Sequence, residues 1–394
     1  MSRPEPRARY GRYVGGPDPL APPPDLTEAV RAIADDEKAE PGGMDWVGTA
    51  LSVAGLGLIV IALLQAGTWG FIRPRGALTI GDVRVTPFGF SVVPFMIALG
   101  VFVLIGLVSW ERRVIDRGGT PLLHPALLRK LQLRNGLIML LAQQTIIGGM
   151  FFIIPIYLQY ALQMNAFETG VKLAPMSVAM LIAAFASPKL AATQSPRRMV
   201  RTGLVLVIVG CVLLVTTIDP ELNSVVFAIG MAIFGAGFGF IAAQLGNVIM
   251  SSVGNRDRGE AGGLQGTAQN IGTSVGVALL GALLVAALSS GFNTAAQADS
   301  TISAQTKSQI NDATANGVEI LGRDQLEAVA QEHDIPAGEV STLVDDYVNA
   351  QLEAIKMAIL LAVFLALLGL VVAQRLPTVP GAELGKDEPA AVGK

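Results

Sequence analysis

Eight uninterrupted apolar runs dominate the sequence, each long enough to cross ~30 Å of hydrocarbon as a helix rising ~1.5 Å per residue. They lie at Val47 to Trp69, Phe88 to Trp110, Gly136 to Leu162, Gly170 to Ala192, Val200 to Ile218, Asn223 to Met250, Ala261 to Phe292 and Ile355 to Gln374. A segment surrounded by lipid must satisfy its own backbone hydrogen bonds, so only helices or a closed barrel remain. With 44 glycines and 6% aromatic residues, the composition suits closely packed helices better than barrel strands. The expected fold class is all-α, a polytopic membrane protein of about eight transmembrane helices. A charged fraction of 15%, against ~25% in ordinary soluble domains, points the same way.

Several chemistries drop out at this stage. The single cysteine, Cys211, excludes an intrachain disulfide framework, and His124 and His333 lie far apart, so neither a metal site nor a cofactor is expected. A formal net charge of −3 argues against a nucleic-acid partner, which calls for a basic excess. No His, Asp or Glu cluster falls inside the apolar runs, and the loops hold no nucleophile and base at a recognisable spacing. No catalytic residues are expected, and the chain is not read as an enzyme.

Cations set the expected orientation. Arg112, Arg113, Arg117, Arg129, Lys130 and Arg134 follow the second run, Arg197 and Arg198 the fourth, and Arg256 and Arg258 the sixth. These loops are assigned to the cytoplasm, which puts both termini there in a multi-pass protein of the plasma (inner) membrane. Arg73, Arg75 and Arg84 in the first outer loop run against this pattern. The resulting division is a disordered cytoplasmic tail over residues 1–45, a two-helix central segment over 46–111 and a basic cytoplasmic loop over 112–135. A six-helix half-bundle over 136–375 follows, with a large extracytoplasmic loop at 293–354, and then a cytoplasmic tail over 376–394. Within that outer loop, Asp324 to Ala330 and Glu339 to Leu352 have helical spacing interrupted at Ile335-Pro336, which predicts a short helical cap.

A buried membrane charge costs at least ~2.5 kcal/mol and so marks function, yet the runs themselves carry no carboxylate. Amides remain. Gln143, Gln144 and Gln159 belong to the third run, Gln244 and Asn247 to the sixth, and Gln265, Gln269 and Asn270 to the seventh. Either they line a partly wet substrate path or they are interhelical glue worth ~0.6 kcal/mol per bond. Glycines four apart, at Gly235 and Gly239, Gly262 and Gly266, and Gly272 and Gly276, let backbones approach closely, as a static interface or a sliding gate.

The segments Met44-Asp45-Trp46-Val47-Gly48, Tyr157-Leu158-Gln159, Gly170 with Leu173-Ala174-Pro175, and Gly259-Glu260-Ala261-Gly262-Gly263 resemble those of fourteen-helix drug:proton antiporters of the major facilitator superfamily. So does the loop from Ser187-Pro188-Lys189 to Pro196-Arg197-Arg198. The resemblance covers Met44 to Gln374 and likens the chain to the C-terminal portion of such an antiporter, the N-terminal six-helix half being absent. It implies a proton-coupled exporter of small hydrophobic or amphipathic compounds, with Arg197, Arg198, Gly259, Glu260 and Gly262 as gate or loop elements. A rocking carrier closes two bundles around a midplane site. The expected partners are therefore the lipid bilayer and either a separately encoded N-terminal half or a second copy in a homodimer. The alternative is a non-transporting membrane scaffold, or a truncated gene product, that pairs with another membrane protein.

Overall fold

The computed structural model describes residues 45–71, 74, 78–80, 83–119, 121–254, 257–314, 318–333 and 335–378. Residues 1–44 of the tail expected to be disordered and residues 379–394 of the expected cytoplasmic C-terminal tail lie outside the described residues, as do Arg73, Arg75 and Arg256. Ten helices and one two-stranded hairpin are described: α1 (Trp46–Trp69), β1 (Leu78–Ile80), β2 (Val83–Val85), α2 (Val92–Asp116), α3 (Leu131–Ile156, continuing as a π-turn over Tyr157–Ala161), α4 (Ala166–Ala191), α5 (Pro196–Val215), α6 (Ser224–Ser251), α7 (Arg258–Ala298), α8 (Ala304–Thr314), α9 (Arg323–Glu332) and α10 (Ala337–Val372). Eight of them, α1 to α7 and α10, are long and apolar enough to cross a membrane.

Short polar side chains fix the helix starts. The Asp45 carboxylate accepts the Gly48 N–H, the Ser91 hydroxyl accepts from Val93, and Asn223 accepts from Val226. Asn165 and Glu168 form a reciprocal capping box on α4, satisfying two of the amides that a helix start leaves open.

Several helix ends differ from the apolar runs. α2 starts at Val92 rather than Phe88, because Phe88 takes a positive φ of 54° in a tight turn. It then continues past Trp110 to Asp116 and carries Glu111 with it. α7 reaches Ala298, and α10 starts at Ala337, capped by Pro336, well before Ile355. Apolar runs locate the part of a helix that lies in lipid. The polar extensions obey helical spacing and capping rules instead.

Helix α6 packs between α4 and α5, α3 lies along α7, and α10 closes against α3, α5 and α7. A continuous apolar core through Met139, Tyr157, Leu204, Phe227 and Phe234 joins them. Glycines set the closest approaches. A β-carbon on Gly272 would lie 2.7 Å from both the Leu141 carbonyl oxygen and the Gln144 β-carbon, and one on Gly239 would lie 2.5 Å from the Met180 carbonyl oxygen. Two of the three glycine pairs are thus tight helix seams, Gly235 and Gly239 against α4 and Gly272 and Gly276 against α3. The third pair is different: Gly266 meets open space and Gly262 only the Met250 methyl at 3.9 Å. α1 and α2 form their own hairpin, meeting at Gly55 and Gly100. It leans on α7 through Ala62, Ala66 and Val93, with Ala278 as the α7 contact.

The segment between α7 and α10 is folded, with α8 not anticipated by any apolar pattern. Tyr347 is its anchor. Its ring packs edge-on to Phe292 at 5.3 Å, and its hydroxyl donates to the Glu319 carbonyl and accepts the Leu321 N–H. Arg323 pairs with Asp345 at 2.7 Å, and Lys307 and Gln297 each donate to the other's backbone carbonyl.

Candidate functional site

The amides singled out in the sequence separate into three groups. The first is structural. Gln244 is fully buried and its Nε2 donates to Ser187 Oγ at 2.9 Å, tying α6 to α4. Gln143, 2% exposed, reaches the Phe238 carbonyl of α6 at 3.5 Å, the outer limit of a hydrogen bond. Gln144 sets its β-carbon against Gly272. These side chains bridge helices, the role expected of small interhelical polar contacts in lipid.

The second group lies along the first turns of α7. Gln265 is half-buried, and its Oε1 is enclosed without a hydrogen-bond partner among the described residues. Gln269, one turn on, is also half-buried, whereas Asn270 is exposed and turns its Nδ2 back to the Gly266 carbonyl at 2.9 Å. Beyond the helix's own nearby backbone, no atom among the described residues lies within 4 Å of where a β-carbon would stand on Gly259, Gly263 or Gly266. An enclosed amide oxygen wants a donor, so the start of α7 combines free space with unspent hydrogen-bonding capacity. Asn247 of α6 is exposed and joins neither group.

The third group is far away. Gln159 follows Gln143 by sixteen residues, roughly 24 Å along a helix. With Tyr160, Gln163, Asn165, Asp324 and Gln325 it lines an open polar cleft of about 360 Å³ beside α9. Helical rise and rotation distribute the amides over three helix seams, one open helix face and the cap end.

The gate candidates divide in the same way. Arg197 holds the end of α10, its Nε donating to the Leu376 carbonyl at 2.9 Å and its N–H to Pro377 at 3.3 Å. Arg198 is exposed and Gly259 faces open space, while Gly262 has only the Met250 methyl at 3.9 Å. Glu260 is engaged on both oxygens: Oε1 contacts His124 Nδ1 at 2.6 Å, and Oε2 accepts the His124 N–H at 2.7 Å.

Near Glu260 lies a cluster that the apolar runs did not disclose. The Trp110 indole N–H donates to the Asp45 carboxylate at 3.0 Å. Glu111 is 1% exposed; its Oε2 accepts the Leu122 N–H at 3.0 Å, and its Oε1 is buried without a partner among the described residues. The available signal was position, since Glu111 directly follows an apolar run on the same helical register. Ser187 was missed as the partner of Gln244 for want of any pattern in its neighbours.

Eight long apolar helices packed through glycine seams, with an open polar helix face, define a polytopic membrane protein. Residues 42–277 match the Major Facilitator Superfamily model, and the chain belongs to that family. It is 29% identical over 249 residues to the probable actinorhodin transporter of Streptomyces coelicolor, covering 62% of this chain and 40% of that protein. It is 28% identical over 255 residues to the tetracenomycin C resistance and export protein of Streptomyces glaucescens, covering 64% and 43%. Against the puromycin resistance protein of Streptomyces alboniger, identity is 26% over 275 residues, covering 67% and 50%. The chain spans about half the length of the curated relatives it matches.

Proposed function

We propose that this chain forms the second half of a proton-coupled exporter of small hydrophobic or amphipathic compounds, built like the C-terminal part of a fourteen-helix carrier. The first half comes from a separate chain, from a second copy, or from a longer polypeptide that includes these residues. The observation that carries this reading is the start of α7, where Gln265 has an enclosed oxygen without a donor and Gly259, Gly263 and Gly266 leave free space. A polar helix face facing hydrocarbon is unfavourable, so it suits a wall that another bundle closes around a substrate. The names of the relatives, which refer to transport or export of actinorhodin and tetracenomycin C and to puromycin resistance, support a small hydrophobic or amphipathic cargo. The basic loops support a cytoplasmic position for the Arg197 end and the start of α7.

Co-expression or fusion with a six-helix N-terminal half, followed by dye or antibiotic efflux from inverted vesicles under an imposed pH gradient, tests the proposal. Gradient-dependent flux that needs both halves is expected. A stable complex with no change in flux favours the scaffold reading instead.

A further inference from the structure

We infer that His124 is a positioning residue: by engaging both oxygens of Glu260 it holds the glycine-rich first turns of α7 in helical register, and so keeps Gln265 and Gln269 where a cargo wall needs them. The hold on α7 stands by itself, whereas its bearing on cargo rests on the exporter reading above.

The first turns of α7 are poor helix by composition. Gly259, Gly262, Gly263 and Gly266 crowd into them, and glycine, with the most backbone freedom to lose, is the weakest helix former after proline. Tertiary contact has to supply what propensity withholds. It does so on one face, where Ala261 is fully buried and Leu264 packs against the core. On the other, beyond the helix's own nearby backbone, no atom among the described residues comes within 4 Å of a β-carbon on Gly259, Gly263 or Gly266.

The polar support comes from the segment between α2 and α3. The His124 N–H donates to Glu260 Oε2 at 2.7 Å, and His124 Nδ1 meets Oε1 at 2.6 Å, so the ring carries a hydrogen on Nδ1 and one residue occupies both acceptors. The hold continues along the chain. Lys130 Nζ lies 3.9 Å from Asp257, and Gln132 Nε2 donates to the Val248 carbonyl and to Ser251 Oγ, each at 3.3 Å. As this segment ascends from His124 to Gln132, its partners descend from Glu260 to Val248. It therefore runs antiparallel to the α6–α7 connection, fixing the end of α6 and the start of α7 together. Its own beginning is fastened to α2, where Glu111 Oε2 accepts the Leu122 N–H at 3.0 Å.

The link to the amides is geometric. A helical side chain lies back over the turn before its own Cα, so Gln265 covers the turn at Ala261 and Gly262, and its Oε1 is enclosed. If the first turns unwind, the surface that encloses Gln265 goes with them, and Gln269 becomes the new end of the wall.

The test uses the full chain in lipid nanodiscs, with amide exchange followed at residues 262–266, whose N–H groups bond within the helix. His124→Ala keeps the backbone donor and removes the ring. Exchange there should rise about tenfold, as expected for the loss of a strong hydrogen bond, while α3 stays as in the parent. His124→Asn, whose Nδ2 donates in place of Nδ1, should restore most of the protection. In the carrier completed by an N-terminal half, His124→Ala should raise the cargo concentration for half-maximal efflux about three- to tenfold at an unchanged maximal rate, and Asn should again restore it. Parent-like exchange in His124→Ala, an equal rise in His124→Asn, or a rise spread through α3 and α10 overturns the hold. Faster exchange with an unshifted half-maximal concentration overturns its bearing on cargo. No efflux from the completed parent removes the exporter reading and the cargo bearing with it, and the exchange result then decides the hold. If His124→Ala does not accumulate, parent-like exchange in Glu260→Gln, which sets an amide donor against donors, overturns the hold alone.

Discussion

Replacing Gly272 by alanine puts a methyl group 2.7 Å from the Leu141 carbonyl oxygen and 2.7 Å from the Gln144 β-carbon, where ordinary contact starts at 3.4 Å. Neither obstacle is the free end of a flexible side chain, so α3 and α7 must part by several tenths of an ångström along a seam that also contains Gly148, Gly149 and Gly276. Overpacking of this kind costs ~1–3 kcal/mol, against a gain of ~1 kcal/mol for alanine over glycine inside a helix. The same substitution at Gly266, on the same helix, meets nothing within 4 Å and keeps the helical gain with no packing cost. Unfolding in one detergent, followed by helicity against added denaturing surfactant, should therefore place Gly266→Ala ~1–3 kcal/mol above Gly272→Ala. Equal stabilities for the two, or a more stable Gly272→Ala, would refute the claim that this glycine pair is a tight static seam while the other faces space.

Other substitutions separate the amides by role. Ser187→Ala should destabilise by ~1–3 kcal/mol because it strands Gln244 fully buried, whereas adding Gln244→Leu should recover much of that loss; a double-mutant cycle with no coupling would break the bond from the argument. Gln269→Leu should leave expression and insertion intact and change substrate range in the completed carrier; lower insertion would make that amide structural. Arg197→Ala should loosen the end of α10, read as faster proteolysis after Leu376, while Arg198→Ala should leave the cleavage pattern of the parent. Tyr347→Phe should lower thermal stability by ~1 kcal/mol through loss of the hydrogen bond to the Glu319 carbonyl, and an unchanged midpoint would make the Phe292 contact the sole anchor.

What could be read in the sequence followed physical necessity. Membrane thickness forces apolar runs of a certain length, so all eight helices long and apolar enough to cross were legible. The helix interiors of α7 and α10 beyond the lipid were not, because outside hydrocarbon a helix needs caps and partners rather than hydropathy; Pro336 and the Glu339-to-Leu352 spacing gave part of α10 and nothing gave α8. Residue type alone could not say which amides face space. Gln244 and Gln265 look alike in the sequence, and each has an enclosed Oε1 without a partner among the described residues, but the Gln244 Nε2 meets Ser187, a difference that depends on helix rotation against neighbours. Glu111 shows the same limit: it lies one residue past an apolar run, and no pattern in the sequence shows that α2 continues and buries it.

Helix α7 is 41 residues long without interruption, roughly 60 Å at ~1.5 Å per residue, about twice the hydrocarbon thickness. One end is bolted to His124, and the other carries Phe292 and Asn293 into the folded cap. A rod of that reach acts as a stiff spindle: a wedge driven under the cap, such as a bound antibody fragment, has to turn or tip the far tip beside Glu260 unless the shaft itself bends.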